Sequence, residues 1–337
     1  MQEIETSGRC MQDFDLDQRD LRLLHALQVR PRAPWTALAP IVGADAVTLA
    51  RRWSGLQSDG LAWMTSYLGT GTRFVGAIVE IEGEPAALPA IVQDLARDPE
   101  MVSIDQTAGG RDLIATVLCR SDAELSRFLV DRIPTVTGIK STRTHRVIRL
   151  VTDAQKWRLR SLRGDEVEAL EQSVPLLRPA PSAVSTEVEN ELIRLLLIDG
   201  RASVSDLAQW LSISPARAKG ALSNVLGHQR VVIRLEVART YTPWPVSVWY
   251  FMRMPATKVE VVATSLAGLD ETRLVVITGG IYSLMTLVWL RRVEDMAVLE
   301  RQLGERMPYV EIADRSIVLR TPKHMGKRLE PDGRRLV

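Results

Sequence analysis

Two stretches of this chain repeat each other at a fixed spacing, and no other feature constrains its fold as much. The run Leu23-Leu24-His25-Ala26-Leu27, followed by Arg32-Ala33 and Leu38-Ala39, returns as Leu192-Ile193-Arg194-Leu195-Leu196, Arg201-Ala202 and Leu207-Ala208, an offset of 169. The same offset carries Trp53 onto Leu222, and further on Gly109-Gly110 returns as Gly279-Gly280 at an offset of 170. A register held across half a molecule marks an internal duplication rather than a chance likeness of two helices. At 337 residues the chain is also too long for one ordinary core, so two or more domains are expected.

Each copy begins helically. In the first, Leu16 or Asp17 opens a segment whose Leu21, Leu24 and Leu27 form a helical stripe. Pro31 and Pro34 break it, a short helix runs from Thr36 to about Val42, and Gly43 makes a turn. Asp45 is placed to cap a third helix reaching about Gln57, with Leu49, Trp53 and Leu56 facing inward. The second copy offers helices over 188–198 and 204–211 and a third capped by Ser214, with Pro215 at its first position and Ala218, Leu222 and Val225 inward. Three short helices with a tight turn before the third follow the helix-turn-helix plan.

A β-rich half follows each trio. Strands are expected over 74–82, with Val75, Ala77, Val79 and Ile81 on one face, and over 101–106, 112–120 and 136–150, with helices over 86–97 and 122–132. The second copy gives 246–253, 273–278, 283–291 and 310–320 as strands and 257–267 and 293–306 as helices. Both read βαββαβ, the ferredoxin-like order, so the fold class is α+β: two winged or three-helix heads, each followed by a ferredoxin-like domain. The bare face of each sheet needs a partner sheet, from the same chain or another. The expected boundaries are heads at 13–64 and 186–235 and sheet domains at 73–150 and 246–322. Residues 151–185, basic at Lys156-Trp157-Arg158 and rich in proline from Pro175 to Pro181, read as a linker, and 323–337 as a basic tail.

Composition excludes more than it proposes. Apolar residues at 46% and charged residues at 25% exclude a wholly disordered or fibrous chain. Lys+Arg 43 against Asp+Glu 41 leaves a formal +2, so a case for nucleic acid has to be local. Cys10 and Cys119 make no disulfide framework, and His25, His145, His228 and His324 lie at no metal-ligand spacing, so neither metal nor cofactor is expected. The acidic start Met1-Gln2-Glu3-Ile4-Glu5 lacks an apolar signal core, and no run is long enough to span a membrane; a cytoplasmic protein is expected. Gly69-Thr70-Gly71 has no strand before it or helix after it, so it reads as a linker rather than a dinucleotide fingerprint. No hydrolase, zinc-protease or Walker motif occurs, and the tryptophans, Trp35 and Trp53 among them, read as packing residues.

The front of each third helix carries the candidate DNA-binding residues. In copy one these are Thr48, Arg51 and Arg52, beside Asp45 and Val47; in copy two they are Ser214, Arg217, Lys219 and Asn224. Arginine grips guanine edges bidentately and hydroxyls suit bases or phosphates. The competing reading is a solvated helix face. Gly220 replaces Arg51 in the second copy and costs its helix about 1 kcal/mol relative to alanine. The basic run Lys140, Arg143, Arg146, Arg149, Lys156, Arg158, Arg160 and Arg163 reads better as a solvated edge than as a phosphate track. Gly109-Gly110-Arg111-Asp112 reads first as a hairpin turn. Its amides and Asp112 also suit the carboxylate and amine of an amino acid, and Ser283 beside Gly279 and Gly280 would hold the amine more weakly.

These residues resemble a known family. Leu16-Asp17, Asp20-Leu21, Leu23-Leu24, Leu27-Gln28, Arg32-Ala33, Leu38-Ala39, Val42-Gly43, Arg51-Arg52 and Asp59-Gly60-Leu61 are similar to the helix-turn-helix of the Lrp/AsnC (feast/famine) transcriptional regulators. The βαββαβ halves resemble their RAM (ACT-like) module, with Gly109-Gly110-Arg111-Asp112-Leu113 and Gly280-Ile281-Tyr282-Ser283-Leu284 standing where the family has Gly-x-Tyr-Asp-Leu. The resemblance implies a non-enzymatic regulator bound to double-stranded promoter DNA. It also implies homo-oligomers joined through RAM sheets, and an amino acid or related effector near Gly109, Gly110 and Asp112, and near Gly279, Gly280 and Ser283. Ordinary members carry one copy; here one chain supplies both halves of a pseudo-dimer, or two chains supply four RAM units. Sirohaem decarboxylases resemble the same layout and would need His and Arg aimed into a tetrapyrrole cavity, whereas the strand before Gly109 carries Asp105-Gln106-Thr107. A DNA-independent amino-acid sensor is the third reading.

Overall fold

The computed structural model describes residues 16–69, 74–179 and 184–337. The acidic start, Cys10, Thr70, Gly71 and Ala180-Pro181-Ser182 lie outside the described residues, as do the first residues of the expected ranges 13–64 and 73–150. The first half runs α1 (Gln18–Val29), α2 (Trp35–Val42), α3 (Ala46–Ser58), β1 (Ala62–Leu68), β2 (Val75–Gly83), α4 (Leu88–Leu95), β3 (Met101–Ala108), β4 (Leu113–Cys119), α5 (Asp122–Arg127) and β5 (Ile139–Thr152). After α6 (Gly164–Ser173) the order returns as α7 (Thr186–Ile198), α8 (Val204–Trp210), α9 (Pro215–Gly227), β6 (Val231–Val237), β7 (Val246–Arg253), α10 (Val259–Ala267), β8 (Thr272–Gly279), β9 (Leu284–Leu290), α11 (Asp295–Arg306) and β10 (Glu311–His324), with the short β11 (Lys327–Arg328) last.

Local chemistry sets the helix ends. The Asp17 carboxylate accepts the Asp20 amide and Asp20 reciprocates, a capping box at α1. Asp45 caps α3, and Ser185, Ser203 and Ser214 cap α7, α8 and α9. Gly43 ends α2 at φ +79°, a left-handed position that a β-carbon disfavours.

The strands close on themselves. Their order is β11-β10-β3-β4-β2-β5-β8-β9-β7, and β7 pairs again with β10. The two seams between halves are β5–β8, where Arg146 faces Gly279, and β3–β10, where Ala108 faces Ile317. A shift of 171 residues carries one seam onto the other. The two sheet domains therefore pair within one chain, and closure leaves neither of their seam edges open for another chain.

Alternation along each strand divides the ring into an outside under helices and a lumen. Ala77, Val79 and Ile81 face α4 and α5, while Ile78 joins Ile114, Trp249, Phe251, Val276 and Met285 inside. Val248, Tyr250 and Met252 make the matching outer layer under α10 and α11.

In place of two separate wings, β1 pairs with β6 as an antiparallel ribbon. At its centre Thr65 faces Arg234, residues separated by the repeat offset of 169, so an approximate two-fold axis passes there. The same axis relates a reciprocal clamp between heads. Arg32 donates to the carbonyls of Gly200 and Ala202, and Arg201 donates to those of Pro31 and Ala33. The Arg201 guanidinium also lies 4.3 Å from the centre of the Trp35 ring.

Two expected loose segments are built into the fold. The stretch read as a linker crosses head 1: Leu159 N donates to Gln28 Oε1 and Leu162 N to His25 Nδ1, both at 2.8 Å. Trp157, Leu159, Leu162 and Leu170 of α6 are buried in the core of that head, and Arg22 pairs with Glu166 at 2.8 Å. The stretch read as a basic tail begins inside β10, where Lys323 is buried and donates to the Asp98 carbonyl at 2.7 Å. It then folds back so that Arg335 N donates to the Gly60 carbonyl at 2.8 Å. Residues 166–172 read as helix-friendly in the sequence and do form α6, but no local period reports which core a segment docks on, so both dockings were missed.

Candidate functional site

Helices α3 and α9 sit on the outer side of their heads. Arg51 is exposed and Val47 stands out at 79% exposure, whereas Thr48 gives its hydroxyl to the capping carboxylate of Asp45 at 2.7 Å. Arg52 departs from the groove role expected of it. It binds Asp17 and Asp20 at 2.8 Å each, bracing α3 against α1. Its pairs are partly solvated, so Arg52→Ala should cost only about 0.5–1 kcal/mol of stability in denaturant unfolding. A larger loss would mean that more than this brace was removed.

In head 2, Arg217 and Lys219 are exposed and Ser214 accepts the Arg217 amide. Asn224 also departs from expectation: it donates to Glu189 on α7 at 2.5 Å and so points back into its head. Ala221 occupies the place equivalent to Arg52 and is buried, so the two fronts differ in chemistry as well as charge.

The hairpin residues divide between the surface and the lumen. Gly109 (φ +119°) and Gly110 are exposed, and the Asp112 carboxylate accepts the Gly83 amide at 2.9 Å. Ser283 donates its amide to the Met252 carbonyl, and Gly280 (φ +151°) passes so close to His145 that a β-carbon would lie 3.1 Å from Nδ1. Between the hairpins, Arg111 enters the lumen, 4.0 Å over Phe251, and pairs with Asp314 at 2.6 Å and with Glu80 at 2.5 Å. Glu80 also meets His145 Nε2 at 2.5 Å, and Tyr282 packs on both His145 and Phe251. Burial alone would push the Glu80 carboxyl up, but His145 and Arg111 outweigh it and hold it below its usual value. This end of the lumen is filled by its own charges.

The opposite end, under the ribbon, is hollow. A cavity of about 220 Å³ lies among Ile78, Val276, Leu287, Trp249 and Trp289 of the ring and Trp63 and Tyr67 of β1. Asp105 is buried in its wall, taking hydrogen bonds from Trp249 Nε1 at 2.9 Å and the Thr321 hydroxyl at 2.7 Å; burial pushes its carboxyl up. Beside it Glu236 of β6 holds Arg234 of the ribbon, Arg273 of β8 at 3.1 Å and His324 of β10 at 3.3 Å. Burial opposes the Glu236 charge, yet Arg234 above all, then His324 and Arg273, keep it ionised far below the carboxylate range. Arg273 lies against Trp157 and Trp289, 4.8 and 3.8 Å from their ring centres. None of these cavity residues was singled out for a ligand from the sequence except as strand neighbours, because they converge from distant strands. Their one signal was charge at inward positions of apolar strands.

The basic run does not form the expected strand edge, since β5 pairs with both β2 and β8, and most of its charges meet acids: Arg143 with Glu80, Arg146 with Asp122, Arg149 with Glu260, Arg160 with Asp270 and Arg163 with Asp165. Among the described residues no cluster could hold a metal ion, and no helix is long and apolar enough to cross a membrane.

Comparison with known proteins assigns the first half. Residues 16–57 match the AsnC-type helix-turn-helix domain, and residues 76–157 the Lrp/AsnC ligand binding domain. The first half of this chain carries both domains. An uncharacterised HTH-type transcriptional regulator of Pyrococcus horikoshii is 26% identical over 147 residues, 42% of this chain and 90% of its own length. The HTH-type transcriptional regulator AldR of Mycolicibacterium smegmatis is 26% identical over 136 residues, 39% of this chain and 80% of its own. Among solved structures, the siroheme decarboxylase NirDL is 14% identical with a TM-score of 0.56, covering 92% of this chain and 93% of that one. That likeness is one of fold, and it spans both halves.

Proposed function

We propose that the chain is a sequence-specific, DNA-binding transcriptional regulator acting in the cytoplasm, and that its second half is a second copy of both domains, so that one chain forms a complete pseudo-dimer. The observation that carries this reading is the common axis through the Thr65–Arg234 pair and the Arg32/Arg201 clamp, which relates α3 to α9. Paired recognition helices about a dyad are the arrangement that reads two half-sites. Arg51, Arg217 and Lys219 supply the side-chain contacts, while the serine-capped amino end of α9 suits a phosphate. Because Val47, Thr48 and Arg51 correspond to Ala216, Arg217 and Gly220, the half-sites differ in sequence.

Selection of duplexes from a random pool by the full chain tests this. Enriched sites should show two unlike arms, with affinity falling steeply as salt rises. Arg51→Ala should weaken the α3 arm about tenfold and leave the other unchanged. No enrichment at low salt, or a perfect palindrome read identically on both arms, would overturn the reading.

An effector, an amino acid or related molecule, would act at the exposed hairpins around Gly109, Gly110 and Asp112 and around Gly279, Gly280 and Ser283. It shifts DNA affinity only through unequal binding to two arrangements of the heads. Assembly of further chains would use surfaces other than the closed seams.

A second reading has one observation behind it. His324 and the arginines Arg234, Arg239 and Arg273 gather at the cavity, the residue types a tetrapyrrole decarboxylase needs. At about 220 Å³ the space falls below the ~300–1,000 Å³ of pockets for drug-sized ligands. A Soret-type band on adding tetrapyrrole would favour this reading over the regulator.

A further inference from the structure

Besides the exposed Arg320, the hollow end of the lumen holds one half-buried charge that the fold leaves unanswered. Arg239, just past the end of β6, lines the cavity, and its guanidinium makes no hydrogen bond or ion pair with any described residue. The neighbouring guanidiniums are taken: Arg234 and Arg273 both bind Glu236. Asp105 lies close enough to influence Arg239, but its two oxygens already accept from Trp249 and Thr321. A second donor is also idle. Trp63 lines the same cavity, is 1% exposed, and its indole N–H is buried without an acceptor. Two unmet donors, one of them cationic, thus border a space walled by Ile78, Val276, Leu287 and Trp249.

A half-buried guanidinium and a buried indole N–H, both without partners, favour an anion brought from outside. A planar two-oxygen anion matches the guanidinium fork and leaves an oxygen free for an indole N–H. The apolar wall calls for a hydrocarbon body rather than a sugar or a phosphate with its tight water shell. The volume, about 220 Å³, exceeds the roughly 150 Å³ of an apolar cavity that admits benzene. We propose that the ribbon end of the lumen binds a small apolar monocarboxylate, its carboxylate on Arg239 and its hydrocarbon body among the ring's inward side chains.

This site is separate from the hairpin glycines and stands whether or not the chain binds DNA. The test uses the full chain without DNA. Intrinsic fluorescence of the cavity tryptophans and isothermal titration are followed with isocaproate, with leucine, which adds an α-ammonium, and with isohexanol, which removes the charge. Isocaproate should give a saturable change. Isohexanol and leucine should each bind roughly tenfold or more weakly, the first for want of the charge-assisted bond and the second because its ammonium loses water against an apolar wall.

Arg239→Gln should lose isocaproate binding by a similar factor, and Arg239→Lys, which keeps the charge but not the fork, should lose less. Trp63→Phe removes the indole donor together with part of the ring and should weaken binding several-fold, which serves if Arg239→Gln fails to fold. No saturable response to isocaproate, equal binding of isohexanol or leucine, or unchanged binding in the folded variants would overturn the proposal.

Discussion

Glu236→Ala should lower the unfolding free energy by about 3–5 kcal/mol, the largest single-residue loss expected from a charge in this protein. Its carboxylate is 2% exposed and holds Arg234 and Arg273, themselves 7% and 4% exposed. Removing it leaves two guanidiniums in a dry junction with too little opposite charge, and the desolvation already suffered by each is no longer offset. Asp153, 3.6 Å from Arg234, is too distant and too solvated to replace it. Denaturant unfolding monitored by fluorescence measures the loss. Because the penalty comes from stranded cations, adding Arg273→Met to the alanine variant should cost less than the sum of the two changes. A loss under about 1 kcal/mol, or strict additivity, would mean the junction is wet and the charges independently solvated. The consequence is architectural, since Glu236 and Arg234 belong to the head ribbon while Arg273 and His324 belong to the ring.

Acid should weaken head 1 through one buried imidazole. Burial first, and then the positive charges of Arg158, Arg160 and Arg22, hold the His25 imidazole down to about 4 from an ordinary 6.5. Its Nδ1 accepts the Leu162 amide, so the native fold requires the neutral ring. The unfolded chain takes up this proton near its ordinary value, while the native chain refuses it until about 4. Between those values the unfolded state binds more protons, and stability therefore rises with pH across the window. It is fully present above about 6.5 and is lost as pH falls toward about 4, a total of about 3 kcal/mol. His25→Gln retains an acceptor and removes the titration. Unfolding free energies of both proteins, measured from about pH 7 to about pH 4.5, should converge as the pH drops. Parallel curves would show that His25 is not what acid attacks.

The repeating order was legible because its spacing is constant along the chain, and so were the three-helix heads, where the caps Asp45 and Ser214 announce themselves locally. The fronts of the third helices were only half legible. Arg51, Arg217 and Lys219 are exposed as periodicity requires, yet Arg52 and Asn224 turn to acids on the first helix of their own head. Helical position fixes a face but not a rotamer, and a carboxylate across the helix pair decides where a long side chain goes. Gly109-Gly110 was read correctly as a turn, while Arg111 after it entered only as the residue standing where the family pattern has tyrosine. Its partner Ser316 lies 205 residues away, at 2.8 Å, and no local pattern reports such a distance.

Sequence alone determined that this chain holds two three-helix heads and two βαββαβ sheets in a repeating order, because capping, turns and apolar periods act over a few residues. Only the tertiary structure decided that the sheets close on each other within one chain, that β1 and β6 join as a ribbon, and that an unmatched arginine borders a hollow lumen. Those outcomes depend on which strand edges meet and which charges become neighbours, and both are set by contacts between residues far apart along the chain.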